Sequence, residues 1–176
     1  MILYDYYSEL KGSTLYDHLQ DNGVDMVLVN GAWINYKGNK SIPEINQLME
    51  LYNPWPAERH KKWLEIQESF KQALDNLVAG TLETERNSWT IQETEARAWK
   101  ADPTTPVPAL VTLSTVRGVP LPILVDKVIA KSDLYKQYYF YFQGVRDRLE
   151  DQIKSFTDDQ PLERLNELRG LKYEVA

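Results

Sequence analysis

The segment from Val119 to Phe156 constrains the fold most strongly, because apolar residues recur along it in alternating steps of three and four. Of the eleven positions at this spacing, only Lys131 and Gln152 are polar. The other nine are Leu121, Leu124, Val128, Tyr135, Tyr138, Phe142, Val145, Leu149 and Phe156. Such spacing predicts a long helix with one face buried against other helices. We therefore predict a mainly α fold of long antiparallel helices, similar to a helical bundle or a coiled coil.

Five consecutive aromatic residues lie in the middle of this segment, and their side chains point to all sides of a helix. A single partner helix covers only one face, so these rings either lie at the centre of a bundle or partly contact another chain. Tyr138 and Phe142 lie on the apolar face, where we expect a buried core. Tyr139, Phe140 and Tyr141 lie off that face and are candidate partner-binding residues, since aromatic side chains dominate binding hot spots.

Lys131 interrupts the predicted apolar face at a core position. A single polar residue at such a position often fixes the register or the oligomeric state of packed helices. The other interpretation is that its ammonium group reaches past the apolar neighbours into water. The sequence leaves both interpretations open.

Asn30-Gly31 is the clearest local signal in the first half, because it lies between two apolar runs within residues 26–36. Both residues tolerate a positive φ, so the pair predicts a β-hairpin with a type I′ turn. Trp33 and Tyr36 on this hairpin are candidate partner-binding residues. Alternatively, they cover the hairpin's own module, since an isolated hairpin is only marginally stable in water.

The first half predicts a small α+β module, and the remainder of the chain predicts a helical domain. We place the module at residues 1–53 and the helical domain at residues 57–176, with long helices at about 57–101 and 120–156. Ile2 to Tyr7 is rich in β-favouring residues and predicts a short strand, and Ser41 with Glu44 predicts a capping box. Gly80 marks a place where the first long helix bends or two helices meet.

Trp55 lies between two prolines at the predicted boundary between these two parts. The prolines disfavour a helix there and favour an extended path. Trp55 is a candidate partner-binding residue if its ring enters a groove on another protein. The alternative is that the ring packs the linker onto its own chain.

Composition excludes several classes of protein. The net charge of −6 argues against a general nucleic-acid or anionic-membrane binder, and we expect neither partner. The chain has no cysteine, so it has no disulfide and no thiolate metal site. It has no run of eighteen apolar residues, and its first residues lack a signal-peptide pattern.

No catalytic motif is present, so we expect a protein that is not an enzyme and binds no cofactor or metal. The two histidines, His18 and His60, are not in a metal-binding pattern, and no phosphate-binding loop appears. A glycosidase needs only two carboxylic acids. Glu93 and Glu95 are expected on solvent faces of helices, where charges are usual, so this alternative is remote.

A series of short motifs runs from Trp89 to Ile153. In order, these are Trp89-Thr90-Ile91-Gln92-Glu93-Thr94-Glu95-Ala96, Trp99, Asp102-Pro103-Thr104-Thr105-Pro106, Leu110, Arg117-Gly118, Leu124-Val125-Asp126-Lys127-Val128, Lys131, Tyr135 and Gly144-Val145-Arg146-Asp147-Arg148-Leu149-Glu150-Asp151. The series resembles the carboxy-terminal helical region of small bacteriophage tail proteins known as tail-fibre assembly proteins or tail-fibre chaperones. The resemblance implies an ion-pair network between helices, formed by charged residues of these motifs, namely Arg117, Asp126, Lys127, Arg146, Asp147 and Asp151.

The resemblance also implies a function. A protein of this class holds a tail-fibre or baseplate protein during folding or trimerisation in the host cytoplasm, and it either leaves or stays in the virion. It acts by protein–protein contact, as a homo-oligomer or in a hetero-complex. The alternative is a permanent structural adaptor subunit of the tail or baseplate.

Overall fold

The computed structural model describes residues 1–35 and 37–168 of the chain. In chain order, the elements within these residues are α1 (Tyr4–Lys11), α2 (Leu15–Asp21), β1 (Met26–Val29), β2 (Ala32–Asn35), α3 (Ile42–Leu51), α4 (Trp55–Leu77), α5 (Glu83–Asn87), α6 (Trp89–Ala101), α7 (Pro108–Arg117), α8 (Leu121–Ser155) and α9 (Glu163–Glu167). The predicted fold class is confirmed: the structure is mainly helical, with one small antiparallel hairpin near the amino terminus.

The described residues form two compact units. The first unit contains residues 1–69 and 147–168, and the second contains residues 70–146. This division differs from the predicted boundary at residues 53–57. The physical reason is that residues after 147 pack against the start of α4: the rings of Trp55 and Phe156 lie 6.1 Å apart, and Arg59 pairs with Asp158 at 2.7 Å.

The predicted hairpin is confirmed within the described residues. Strands β1 and β2 pair antiparallel, with Val29 opposite Ala32. Asn30 and Gly31 between them have φ values of 50° and 76°, as a type I′ turn requires. The last residue of the predicted hairpin, Tyr36, lies outside the described residues.

The predicted strand at residues 2–7 is wrong, because this segment begins α1. Tyr4 and Tyr7 pack at helical spacing against a buried cluster, which consists of Ile2, Leu15, Leu19, Val24, Met26, Ile45 and Met49. The backbone N–H of Leu3 donates to the Asn46 side chain at 3.1 Å. β-propensity is a weak preference, and packing against this core decides the conformation.

The predicted capping box at the start of α3 is confirmed. The backbone N–H and the hydroxyl of Ser41 both donate to the Glu44 carboxylate at 2.7 Å. These hydrogen bonds favour the charged form and lower the pKa of Glu44. Ile45 and Met49 on the inner face of α3 are fully buried in the core of the first unit.

Of the two alternatives for residues 57–101, one bent helix or helices that meet near Gly80, the structure shows the second, and the helix predicted at 120–156 is confirmed by α8. The first segment contains three helices, α4, α5 and α6. Gly80 has a left-handed φ of 78°, and Leu82 is extended with ψ of 144°, so the helix cannot continue through them. Gly118, directly after α7, likewise has a left-handed φ of 62°.

Helices α6 and α7 and the first turns of α8 form one buried cluster of the second unit. Its buried residues are Ala96, Val107, Leu110, Leu124 and Val125. Glu95 accepts hydrogen bonds from the backbone N–H groups of Ala109 and Leu110 at 3.3 and 2.9 Å, which fixes the start of α7. The prediction that Glu95 lies on a solvent face is therefore wrong.

Candidate functional site

The aromatic segment of α8 is divided between the core and the surface. Phe142 is fully buried, whereas Phe140 and Tyr141 are 63% and 58% exposed. Tyr139 is half-buried, and its ring lies 5.5 Å from that of Phe140 and 6.2 Å from that of Tyr135. Of the three candidate residues in this segment, Phe140 and Tyr141 therefore offer most of the free ring surface.

Tyr141 lies in line with three other exposed apolar residues of α8, and we call these four residues the outer stripe. The outer stripe consists of Ile123, Ala130, Leu134 and Tyr141, all exposed. These residues are separated by seven, four and seven positions, so they lie on one side of a helix with 3.6 residues per turn. They extend over about 27 Å, and a rotation of about 100° round the helix separates them from the buried Leu124 and Phe142. Phe140 flanks the outer stripe.

A series of ion pairs joins α6 to α8 and shows that the two helices run antiparallel. Lys100 pairs with Asp126 at 2.7 Å, Arg97 pairs with Asp133, and Glu93 pairs with Lys136. Glu93 also accepts a hydrogen bond from Arg97 at 2.7 Å, within one helix. Glu93 is thus at the centre of a network that holds the aromatic part of α8 against α6.

The pKa of Glu93 is lowered to about 2 by hydrogen bonds from Lys136, Arg97 and Ser132, which favour its charged form. A carboxyl group with a lowered pKa stabilises the fold fully above its ordinary pKa of 4.5. This contribution is lost as the pH falls from about 4.5 towards 2. The prediction that Glu93 lies on a solvent face is wrong, since only 17% of its side chain is exposed.

Replacing Glu93 by glutamine is expected to lower the free energy of unfolding by about 1 kcal/mol at pH 6, since these pairs remain partly screened by solvent. The difference from the unchanged chain should shrink towards zero between pH 4.5 and 2. Urea unfolding followed by circular dichroism at several pH values measures this difference in the free energy of unfolding. Glu83→Gln, at an exposed carboxylate outside this network, is the matched control. A difference for Glu93→Gln that stays constant over this range would contradict the proposed role.

A groove of about 800 Å³ lies beside this network in the second unit. We call it the basic groove. Trp89 and Tyr135 contribute a T-shaped ring pair, with centroids 5.6 Å apart. Lys131 is exposed, and its ammonium group lies 4.8 Å from the centre of the Trp89 ring. This position agrees with the prediction that Lys131 reaches out of the core, and cation–π attraction holds it there.

The remaining candidate residues are placed in the first unit. The indole N–H of Trp33 donates to Asp5 at 2.7 Å, and its ring lies 4.6 Å from that of Tyr4, so this half-buried ring covers its own module. Trp55 is 3% exposed and packs against Phe156, so its ring is part of a core and not of a docking surface. Tyr36 lies outside the described residues.

Most of the ion-pair residues between α6 and α8 were not singled out from the sequence. Of the charged residues in the predicted network, Asp126 has a partner across the two helices, Lys100. Glu93 and Arg97 stand four positions apart, a spacing that signals a pair within a helix. Their partners, Asp133 and Lys136, are about 40 positions away and carry no local signal.

Two further properties of the described residues bear on the kind of site. Across residues 1–35 and 37–168, no group of three His, Asp or Glu side chains is arranged to hold a metal ion. In the same part of the chain, no single helix is long and apolar enough to cross a membrane. Helices α7 and α8 meet that requirement only as a pair, with a bend of 110° between them.

Comparisons with protein-family models, with curated proteins and with solved structures find no match for this chain. The site is therefore defined by its own geometry. It combines exposed apolar residues on a helix, an ion-pair centre at the half-buried Glu93 and a basic groove beside it.

Proposed function

We propose that this chain is a bacteriophage tail-fibre assembly chaperone, or a fibre-bound accessory protein, that acts by protein–protein contact. The observation that carries the proposal is the outer stripe, with Phe140 beside it. The chain is not an enzyme in this proposal and uses no cofactor. It works in the host cytoplasm during assembly and, if it remains bound, in the virion.

The outer stripe has the composition of a binding surface for an apolar polypeptide. Leu134 and Tyr141 are each more than half exposed, and they present a branched side chain and a ring one above the other at a spacing of two turns. Ala130 is small and lets a partner backbone approach closely. Burial of such residues releases about 25 cal/mol for each Å² of apolar surface, so the stripe favours contact with a partner over contact with water.

The unfolded or partly assembled fibre is a suitable partner, because a chain that has not yet trimerised exposes the apolar surface that its trimer buries. The rigid helix α8 offers this surface in one fixed geometry, supported by the ion pairs to α6. The motifs that resemble tail-fibre assembly proteins extend over α6, α7 and most of α8. The segment that carries the resemblance thus includes α8, the helix that carries the outer stripe.

Co-expression with the tail-fibre protein encoded beside this chain tests the proposal. We expect soluble fibre trimers, measured by size-exclusion chromatography with light scattering, to increase at least fivefold when this chain is present. The variant Leu134→Ser/Tyr141→Ser should abolish the increase, since it removes the apolar stripe at two exposed positions without touching the core. The same light scattering on the chain alone shows whether it self-associates.

The matched control is Leu82→Ser/Val116→Ser, which removes two exposed apolar side chains outside the outer stripe. It should leave the yield of trimers unchanged. If the fibre trimerises equally well alone, the chaperone proposal is wrong. If the chain is present at a fixed ratio in purified particles and has no effect on folding, it is a permanent structural adaptor of the tail.

A further inference from the structure

The basic groove carries a local excess of positive charge on a chain whose net charge is −6. Five cationic and three acidic side chains line it, namely Arg86, Arg117, Lys127, Lys131 and Lys136 with Glu83, Glu85 and Glu93. Glu93 and Lys136 neutralise each other directly. Among the described residues, no carboxylate forms a salt bridge with Arg86, Arg117, Lys127 or Lys131. Four cations therefore face two acids across the remainder of the groove.

The cations are arranged along the groove and do not form a single point charge. Lys127 and Lys131 stand one helical turn apart on α8, a separation of about 6 Å along the helix axis. Arg117 comes from the end of α7, and Arg86 comes from α5 on another wall. The spacing suits carboxylates that repeat along a polypeptide, each meeting one cation.

The floor of the basic groove is apolar and aromatic. Leu124 and Val128 of α8 line it together with the ring pair of Trp89 and Tyr135. A ligand with acidic groups and apolar side chains in alternation satisfies both the cations and the floor. The volume of about 800 Å³ is large enough for a few residues of such a segment.

We propose that the basic groove binds an acidic peptide segment of a partner protein. Charge complementarity selects the carboxylates, and the Trp89 ring packs against an apolar side chain between them. A nucleic acid fits the groove less well, because Glu83 and Glu85 repel a continuous phosphate backbone. A peptide also carries backbone N–H groups, which can donate hydrogen bonds to these two carboxylates. This contact goes beyond the outer stripe and does not depend on which protein occupies that stripe.

Fluorescence anisotropy on the isolated full chain tests the proposal. The probe is a fluorescein-labelled ten-residue peptide in which glutamate and leucine alternate. We expect saturable binding that weakens at least tenfold when NaCl is raised from 50 to 500 mM, because ionic screening acts on these exposed charges. The same peptide with glutamine in place of glutamate should bind at least tenfold more weakly.

Two charge-matched variants locate the site. Lys127→Gln/Lys131→Gln removes two cations from the groove, and we expect about tenfold weaker binding. Lys61→Gln/Lys154→Gln removes two cations outside the groove and outside the ion pairs between α6 and α8, and it should change the affinity less than twofold. Circular dichroism checks that all variants retain their helical content.

The outcomes distinguish this proposal from the proposed function. Equal weakening by the two double variants, or no binding of the acidic peptide, would overturn the acidic-peptide site and leave the fibre assay unaffected. Tighter binding of a fluorescein-labelled oligothymidylate than of the peptide would overturn it in favour of a nucleic-acid site. Conversely, a failed fibre assay together with a positive peptide assay would reject the tail-fibre function and retain the groove.

Discussion

Replacing Phe142 by alanine is expected to lower the free energy of unfolding by about 3–4 kcal/mol. Phe142 is fully buried, and its ring lies 6.2 Å from that of Tyr138 and 5.8 Å from that of Tyr141. Alanine removes the buried ring and leaves a cavity that the rigid helix α8 cannot close. Urea unfolding followed by circular dichroism measures the loss.

The matched control is Phe140→Ala, which makes the same chemical change two residues earlier on α8. Phe140 is 63% exposed, so we expect its loss to cost less than about 1 kcal/mol. A similar destabilisation by both variants would contradict the division of this segment into an inner and an outer side. In the fibre assay we expect Phe140→Ala to reduce the yield of fibre trimers although the chain stays folded.

Replacing Leu19 by alanine is expected to lower the free energy of unfolding by about 3 kcal/mol. Leu19 is fully buried in the cluster beneath α1, α2 and α3, and the side chains around it come from all three helices. Hydrogen exchange gives the location of the effect. Backbone amides of α2 and α3 should lose protection, whereas those of α6 and α7 should keep it, because they belong to the other compact unit.

Leu10→Ala is the matched control in the same unit, since Leu10 is 55% exposed. We expect less than about 1 kcal/mol of destabilisation and unchanged exchange in α2 and α3. If Leu10→Ala costs as much as Leu19→Ala, the buried cluster is not the source of stability in this unit. If α6 and α7 lose protection with Leu19→Ala, the two units do not unfold separately.

The elements that sequence patterns predicted correctly are those that depend on near neighbours. The spacing of Leu121 to Phe156 predicted α8, because apolar periodicity acts within one helix. Asn30-Gly31 predicted the hairpin turn, and Ser41 with Glu44 predicted the start of α3. Each of these signals involves residues no more than a few positions apart.

The elements that were missed depend on distant residues. The tyrosines near the amino terminus favour a strand locally, but contact with a core that includes Ile45 and Met49 makes the segment a helix. For Trp55 the sequence left open a partner groove or packing onto its own chain, and the second is found because Phe156, about 100 positions away, packs beside the ring. No local preference reports such contacts, since they form only when the chain has folded.

The candidate site was likewise predicted from the sequence only in part. The sequence singled out Phe140 and Tyr141 because they lie off the main apolar face of a predicted helix, and the structure leaves both exposed. It did not find the outer stripe, because Ile123, Leu134 and Tyr141 look like ordinary apolar residues until the buried side of α8 is known. The basic groove was also hidden, since its walls come from α5, α6, α7 and α8.

By itself, the sequence determined the helical class, the long helix α8, the hairpin and the absence of cysteine chemistry. Only the tertiary structure decided which rings are buried, which charges pair across helices and where the compact units divide. The physical reason is the sequence separation over which each interaction acts. Backbone preference and periodicity act over one or two turns, whereas burial and ion pairing join residues such as Glu93 and Lys136, which lie 43 positions apart.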